Sequence, residues 1–188
     1  MPKSKDDTRR RYRDEPLARR AVLIGLADDF EFWEEVEAIS ASVDPFKIDA
    51  VSRCRQTGWY LGWEFKRSHL YKSEFADALR QSIHYCLARI TDARLPDLAS
   101  ARLPAIVLFP DWLGEHDDDV TNYAGEAEGM RLLAAQLRVG TMREGKAGRL
   151  SIFMGQGAIW HSDRGWGKDA DHILHGKRGL GAVRKQVR

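Results

Sequence analysis

Several absences narrow what this chain can be. Its 188 residues hold only two cysteines, Cys54 and Cys86. Two are too few for a disulfide framework or a cysteine-ligated iron–sulfur cluster, and both read as reduced thiols of a cytoplasmic protein. No stretch approaches the roughly 20 apolar residues that a membrane span requires. The N-terminus is rich in Lys, Arg and Asp and has no apolar signal core, so neither secretion nor membrane insertion is expected. The glycines between 155 and 181 match neither a phosphate-binding Walker loop nor a dinucleotide fingerprint. No G-x-S-x-G supports a serine hydrolase. His161, His172 and His175 have no cysteine near them, which argues against zinc. No internal repeat is visible.

What is present is a 43% apolar composition, enough for a core at a length typical of one domain with appendages. The formal net charge of +2 conceals a pattern. Residues 1–20 carry +4 and residues 164–188 carry +5, whereas the intervening 21–163 carry −7. The chain therefore divides into a basic, disordered arm over 1–20, a folded domain over 21–163 and a basic Gly-rich tail over 164–188. Basic arms around an acidic centre suit a protein whose ends touch a phosphate backbone while its centre holds a metal. Two solvated ends are the plainer account.

The coarse pattern is α/β. A mixed Arg/apolar segment over 17–26 reads as helical. Asp28 or Asp29 is placed to cap a second helix reaching about Ala38, with Phe30, Phe32, Trp33, Val36 and Ile39 inward. Ile39–Val43 reads as a short strand, with Asp44-Pro45 as a turn. A strand follows from about Lys47 to Arg55. Ser73 caps a helix to about Ile90 whose buried stripe is Phe75, Leu79, Ile83, Cys86, Leu87 and Ile90. Leu95–Leu103 is a linker with two prolines. Ala105–Phe109 is a buried strand closed by Pro110, and Glu115–Asp119 is an acidic loop. Gly125–Leu137 is helical with Met130, Leu133, Ala134 and Leu137 inward. Val139–Met142, Leu150–Met154 and Ala158–Trp160 are short strands. Trp160 and Trp166 are candidates for base stacking, although core packing suits Trp160 better.

Chemistry concentrates between Lys47 and Tyr85. Side chains alternate along a strand, so Tyr60, Gly62, Glu64 and Lys66 share one face, and Trp59, Leu61, Trp63 and Phe65 share an apolar core face. Gln56-Thr57-Gly58 is a tight turn in which Gly supplies any positive φ. With Gln56 and Thr57 as the loop residues, Asp49 falls opposite Glu64. With Thr57 and Gly58, it falls opposite Lys66 on the same face. Two carboxylates this close repel unless a cation joins them. A hard divalent ion that keeps several waters suits oxygen donors, and Lys66 is placed to orient or help deprotonate such a water. Gln81 and Tyr85, four apart, stack on one helix face roughly opposite the buried stripe. The alternative is an ordinary hairpin with charged residues on its solvent face.

The order Asp49, Glu64-Phe65-Lys66, Gln81…Tyr85 resembles the PD-(D/E)xK, or restriction-endonuclease-like, nucleases, and within them the RecB-type branch with its Q-x-x-x-Y helix. The similarity spans about residues 28–110. It implies a restriction-endonuclease-like core, a central mixed β-sheet flanked by helices. It implies Asp49 and Glu64 as ligands of Mg²⁺ or Mn²⁺, with the Phe65 carbonyl a further ligand. Lys66 becomes the catalytic lysine, and Gln81 and Tyr85 organise substrate or site. Ile48 stands where the motif has proline, and no histidine precedes His69, so the upstream histidine of the branch is absent. Its role, or that of the family's first-helix glutamate, falls to one of Glu31, Glu34, Glu35 and Glu37.

The expected activity is Mg²⁺-dependent hydrolysis of DNA phosphodiesters by a metal-activated water, in a small stand-alone nuclease of the phage or mobile-element kind. DNA is the expected partner. A homodimer, or a protein partner supplying specificity, fits a chain with no obvious specificity domain. Two competing readings are a non-catalytic nucleic-acid-binding module on the same fold and a phage structural or assembly protein.

Overall fold

The computed structural model describes residues 14–40, 43–67, 72–110, 124–145 and 148–176. The first helix, α1 (Glu15–Gly25), begins where local chemistry demands. The Asp14 carboxylate accepts the Leu17 amide at 3.0 Å, Pro16 occupies the first turn, and Glu15 adds negative charge at the positive end of the helix. Three strands follow: β1 (Phe30–Ser40), β2 (Val43–Cys54) and β3 (Tyr60–Phe65). Next come α2 (Lys72–Leu87), the two-residue β4 (Arg89–Ile90), a 3₁₀ turn over Pro96–Leu98 and β5 (Ile106–Phe109). The rest comprises α3 (Ala124–Gln136), β6 (Val139–Glu144), β7 (Leu150–Met154), β8 (Gly157–His161), β9 (Gly165–Trp166) and α4 (Ala170–His175).

Among the described residues nine strands form one mixed sheet, ordered β4-β1-β2-β3-β5-β6-β7-β8-β9. β1, β2 and β3 meander antiparallel, β3–β5–β6 run parallel, and β6 to β9 return to antiparallel pairing. The parallel centre requires crossovers, supplied by α2 and α3. One core lies between the sheet and α1 with α4, and contains Val22, Phe30, Trp63, Phe65, Trp160 and Leu174. The other lies on the α2 side and contains Val36, Ile48, Tyr85, Ile90, Leu98 and Ile106. β5 is buried along its whole length, as its continuous Ile-Val-Leu-Phe run predicts for a strand covered on both faces.

The architecture is the expected α/β with a large mixed sheet and flanking helices, but several elements differ from their sequence reading. Residues 30–38 are strand, not helix. Apolar residues at 30, 33 and 36 mimic a helical period because β1 is kinked: Glu35 has φ +52, and the inward positions shift from Phe30 and Phe32 on one face to Val36 and Ala38 on the other. Asp44-Pro45 lies inside β2, beside a register shift in the β1–β2 ladder where a missing N–H does no harm. Helix α2 ends at Leu87, and Ile90 belongs to β4. Its buried face is Ala78, Ser82 and Tyr85, whereas Leu87 is 55% exposed. On α3, Ala134 is buried and Met130 half-buried, but Leu133 and Leu137 face outward. The described part of the Gly-rich tail, up to Gly176, is packed onto the domain: Ala170 and Leu174 fill the first core. Residues 15–20 of the expected arm belong to α1. The acidic run Glu115–Asp119 lies outside the described residues.

Candidate active site

The β2–β3 register pairs Arg53 with Tyr60, Ser52 with Leu61, Val51 with Gly62 and Ala50 with Trp63. The next rung brings Asp49 level with Glu64, the first of the two registers the turn allowed. The connection uses Gly58 at φ +74, and its amide donates to the Cys54 carbonyl at 2.9 Å. Trp63 and Phe65 enter the first core as expected, with the Trp63 Nε1–H donating to Ser52 Oγ at 2.8 Å.

The opposite face of β3 does not meet solvent. Glu64 is fully buried beneath α2, which overturns the plain solvent-face hairpin. Its Oε1 is paired with the Lys66 ammonium, while Oε2 has no hydrogen-bond partner. Burial, then the negative charge of Asp49, push the Glu64 carboxyl up to about 8, against the pull of Lys66. Burial by itself would lower the Lys66 ammonium; Glu64, and behind it Asp49 and Glu15, outweigh that and hold it above its ordinary value.

Gln81 and Tyr85 complete the group from α2, on its inward face rather than opposite the buried one. Lys66 Nζ donates to Gln81 Oε1 at 3.4 Å, Gln81 Nε2 donates to Tyr85 Oη at 2.6 Å, and Tyr85 donates to the Lys47 carbonyl at 3.2 Å. A chain of contacts thus runs from Glu64 through Lys66, Gln81 and Tyr85 back to β2. Burial, then the charges of Glu64 and Asp49, raise the Tyr85 hydroxyl, which stays protonated and serves as a fixed donor.

Asp49 occupies the gap between the strands rather than standing as a simple rung-mate of Glu64. Its Oδ2 accepts the Phe65 amide at 2.8 Å, and its Oδ1 lies 3.7 Å from Arg19 Nη2 of α1. Arg19 is the residue that the sequence reading missed. It donates to Glu35 at 2.8 Å, contacts Glu34 and Glu15 at 3.8 and 3.4 Å, and lies over the Phe65 ring. Of the four glutamates considered for the site, Glu34 and Glu35 therefore reach it, through Arg19. Glu31 is exposed, and Glu37 is engaged by its backbone with Asp92 and Thr91. A groove of about 460 Å³ opens beside them, lined by Glu15, Pro16, Arg19, Arg20, Leu23 and Glu34. The Asp-Glu-Pro helix start marked α1 in the sequence, but assigning 1–20 to a disordered arm hid Glu15 and Arg19.

The histidines do not converge. His161 pairs with Ser151, and His175 with Asp171. Among the described residues no group of three or more His, Cys, Asp or Glu is placed to hold a metal. Comparison with known proteins gives no matching family model, and neither a curated protein nor a solved structure is significantly similar.

Proposed function

We propose that this protein is a Mg²⁺- or Mn²⁺-dependent DNA nuclease with a restriction-endonuclease-like core. The observation that carries the reading is Glu64. A fully buried carboxyl answered by one ammonium, that of Lys66, and close to a second carboxylate is poorly compensated as mere architecture. As a ligand awaiting a cation, it is well suited. The donor set is two carboxylates and the Phe65 carbonyl, all hard oxygens, which fits an ion that keeps several of its waters. Asp49, Glu64 and the Phe65 carbonyl would hold such an ion, which would supply Lewis-acid polarisation of a phosphate.

The remaining roles belong to the chain itself. Lys66, held as an ammonium once Glu64 and Asp49 are ionised, orients the attacking water and offsets charge building on the phosphate. Gln81 fixes the direction of that amine, and Tyr85 fixes Gln81. The Phe65 amide holds Asp49 Oδ2, and Oδ1, now 3.7 Å from Arg19, is the oxygen that would turn toward a cation.

Digestion of plasmid and linear DNA tests the assignment. The wild type cleaves with Mg²⁺ or Mn²⁺ and not in EDTA. Asp49→Ala, Glu64→Gln and Lys66→Ala each lose at least ~100-fold, the scale of removing one charged transition-state contact. Equal activity in all of them rejects the site. DNA binding without cleavage favours the non-catalytic module instead.

A further inference from the structure

The kink in β1 has a brace of its own. In the β1–β2 ladder Glu34 pairs with Ala50 and Val36 with Ile48, but the rung between them, Glu35 with Asp49, is missing. Alternation breaks there on both strands: Ala50 faces the first core and Ile48 the second, although they are two residues apart. Asp49 is thereby released from its ladder and reaches the Phe65 amide of β3. Glu35 holds a left-handed φ that a non-glycine residue adopts only where its surroundings compel it.

The compelling contacts come from the loop after β4. Arg94 Nη2 donates to the Glu34 carbonyl at 2.9 Å and the Glu35 carbonyl at 3.3 Å. Asp92, only 7% exposed, accepts the Glu37 amide at 3.2 Å through Oδ2. The two side chains are locked together by Arg94 Nε to Oδ1 at 2.9 Å and Nη2 to Oδ2 at 2.6 Å. The Thr91 amide adds a bond to the Glu37 carbonyl at 3.0 Å. Both ends of the kink are therefore gripped by one ion pair, which the hydrogen bond from Arg94 keeps ionised by holding Asp92 well below its usual range.

We infer that Asp92 and Arg94 are positioning residues: they brace the β1 kink at Glu35 and so hold Asp49 against β3. The purpose assigned to the brace rests on the nuclease reading, in which Asp49 is a metal ligand. A structural role confined to local stability would not single out Asp49.

Amide hydrogen exchange on the full-length, metal-free protein tests it. In Arg94→Ala the Phe65 amide, bound to the Asp49 carboxylate, loses protection ~10-fold or more. The Gly62 and Lys66 amides, bound to Ala105 and Phe109 of the β5 side, stay protected. Arg94→Lys, which keeps charge but not the fork, loses less. Adding Glu35→Gly to Arg94→Ala restores protection, because glycine holds the kink unaided. Unchanged Phe65 exchange, or equal loosening of all three amides, overturns the brace. Calorimetric titration with Mn²⁺ separates the underlying reading: Arg94→Ala binds about 10-fold more weakly than wild type. A wild type that binds no Mn²⁺ overturns the nuclease reading, and with it the purpose of the brace.

Discussion

Glu64 sets the chemistry of the site and makes its own test. In metal-free buffer the folded protein keeps this carboxyl protonated up to about pH 8, whereas an unperturbed glutamate releases its proton near 4.5. Between those values the folded state binds more protons than the unfolded chain, so Glu64's stabilising contribution is fully present below pH 4.5 and is lost as pH rises through 8. Glu64→Gln, which has no proton to lose, gains on the wild type across that window by a few kcal/mol, at ~1.4 kcal/mol per pKa unit. Urea midpoints in EDTA at pH 5, 7 and 8.5 measure the difference. A constant offset across the three would show that Glu64 is not held protonated. Mg²⁺ added at pH 8.5 raises the wild-type midpoint and leaves the Gln variant unmoved.

At the scale of elements, the parity argument along β3 was legible because strand alternation is a short-range property. The turn left two registers, both with Asp49 on the face of Glu64 and Lys66, and the β2–β3 ladder selects the one that brings Asp49 level with Glu64. The β1 assignment failed for the opposite reason: its apolar spacing is interrupted by a kink held by Asp92 and Arg94, almost 60 residues away. Helix α2 was found, but its inward face was misread, because Ala78 and Ser82 are small or polar and are buried by what lies across from them. Close approach between strands also decides single positions. A Cβ at Gly140 of β6 would stand 2.5 Å from the Phe153 carbonyl oxygen of β7, and that backbone has little room to yield. Gly140→Ala is expected to destabilise by about 2 kcal/mol through overpacking, read as a lower melting temperature, while leaving Mn²⁺ binding unchanged.

At the scale of the molecule, the segment after residue 163 packs onto the middle of the fold. Trp166 packs edge-on against Trp59 at 5.0 Å and donates to the Cys54 sulfur at 3.2 Å, while Ala170 and Leu174 close the first core. A chain ending at residue 163 is therefore expected to lose cooperative melting by circular dichroism, whereas one ending at Gly176 keeps it. The residues beyond Gly176 carry five Lys or Arg and no acid. If they meet phosphate, their removal lowers the slope of log affinity against log salt by up to about 4.5, at ~0.9 per contact. An unchanged slope would assign DNA contact elsewhere. Among the described residues, no helix is long and apolar enough to cross a membrane.

By itself the sequence determined the α/β class, the buried β5, two admissible β2–β3 registers and the sharing of one strand face by Asp49, Glu64 and Lys66. These follow from alternation, turn chemistry and helical spacing, each acting within a few residues. Only the tertiary structure decided that Glu64 is fully buried against Lys66, that Gln81 and Tyr85 turn inward to that pair, that Arg19 and Glu15 stand at the site, and that β1 kinks at Glu35. Those facts depend on which distant segments cover a face, and neither local periodicity nor composition carries that information.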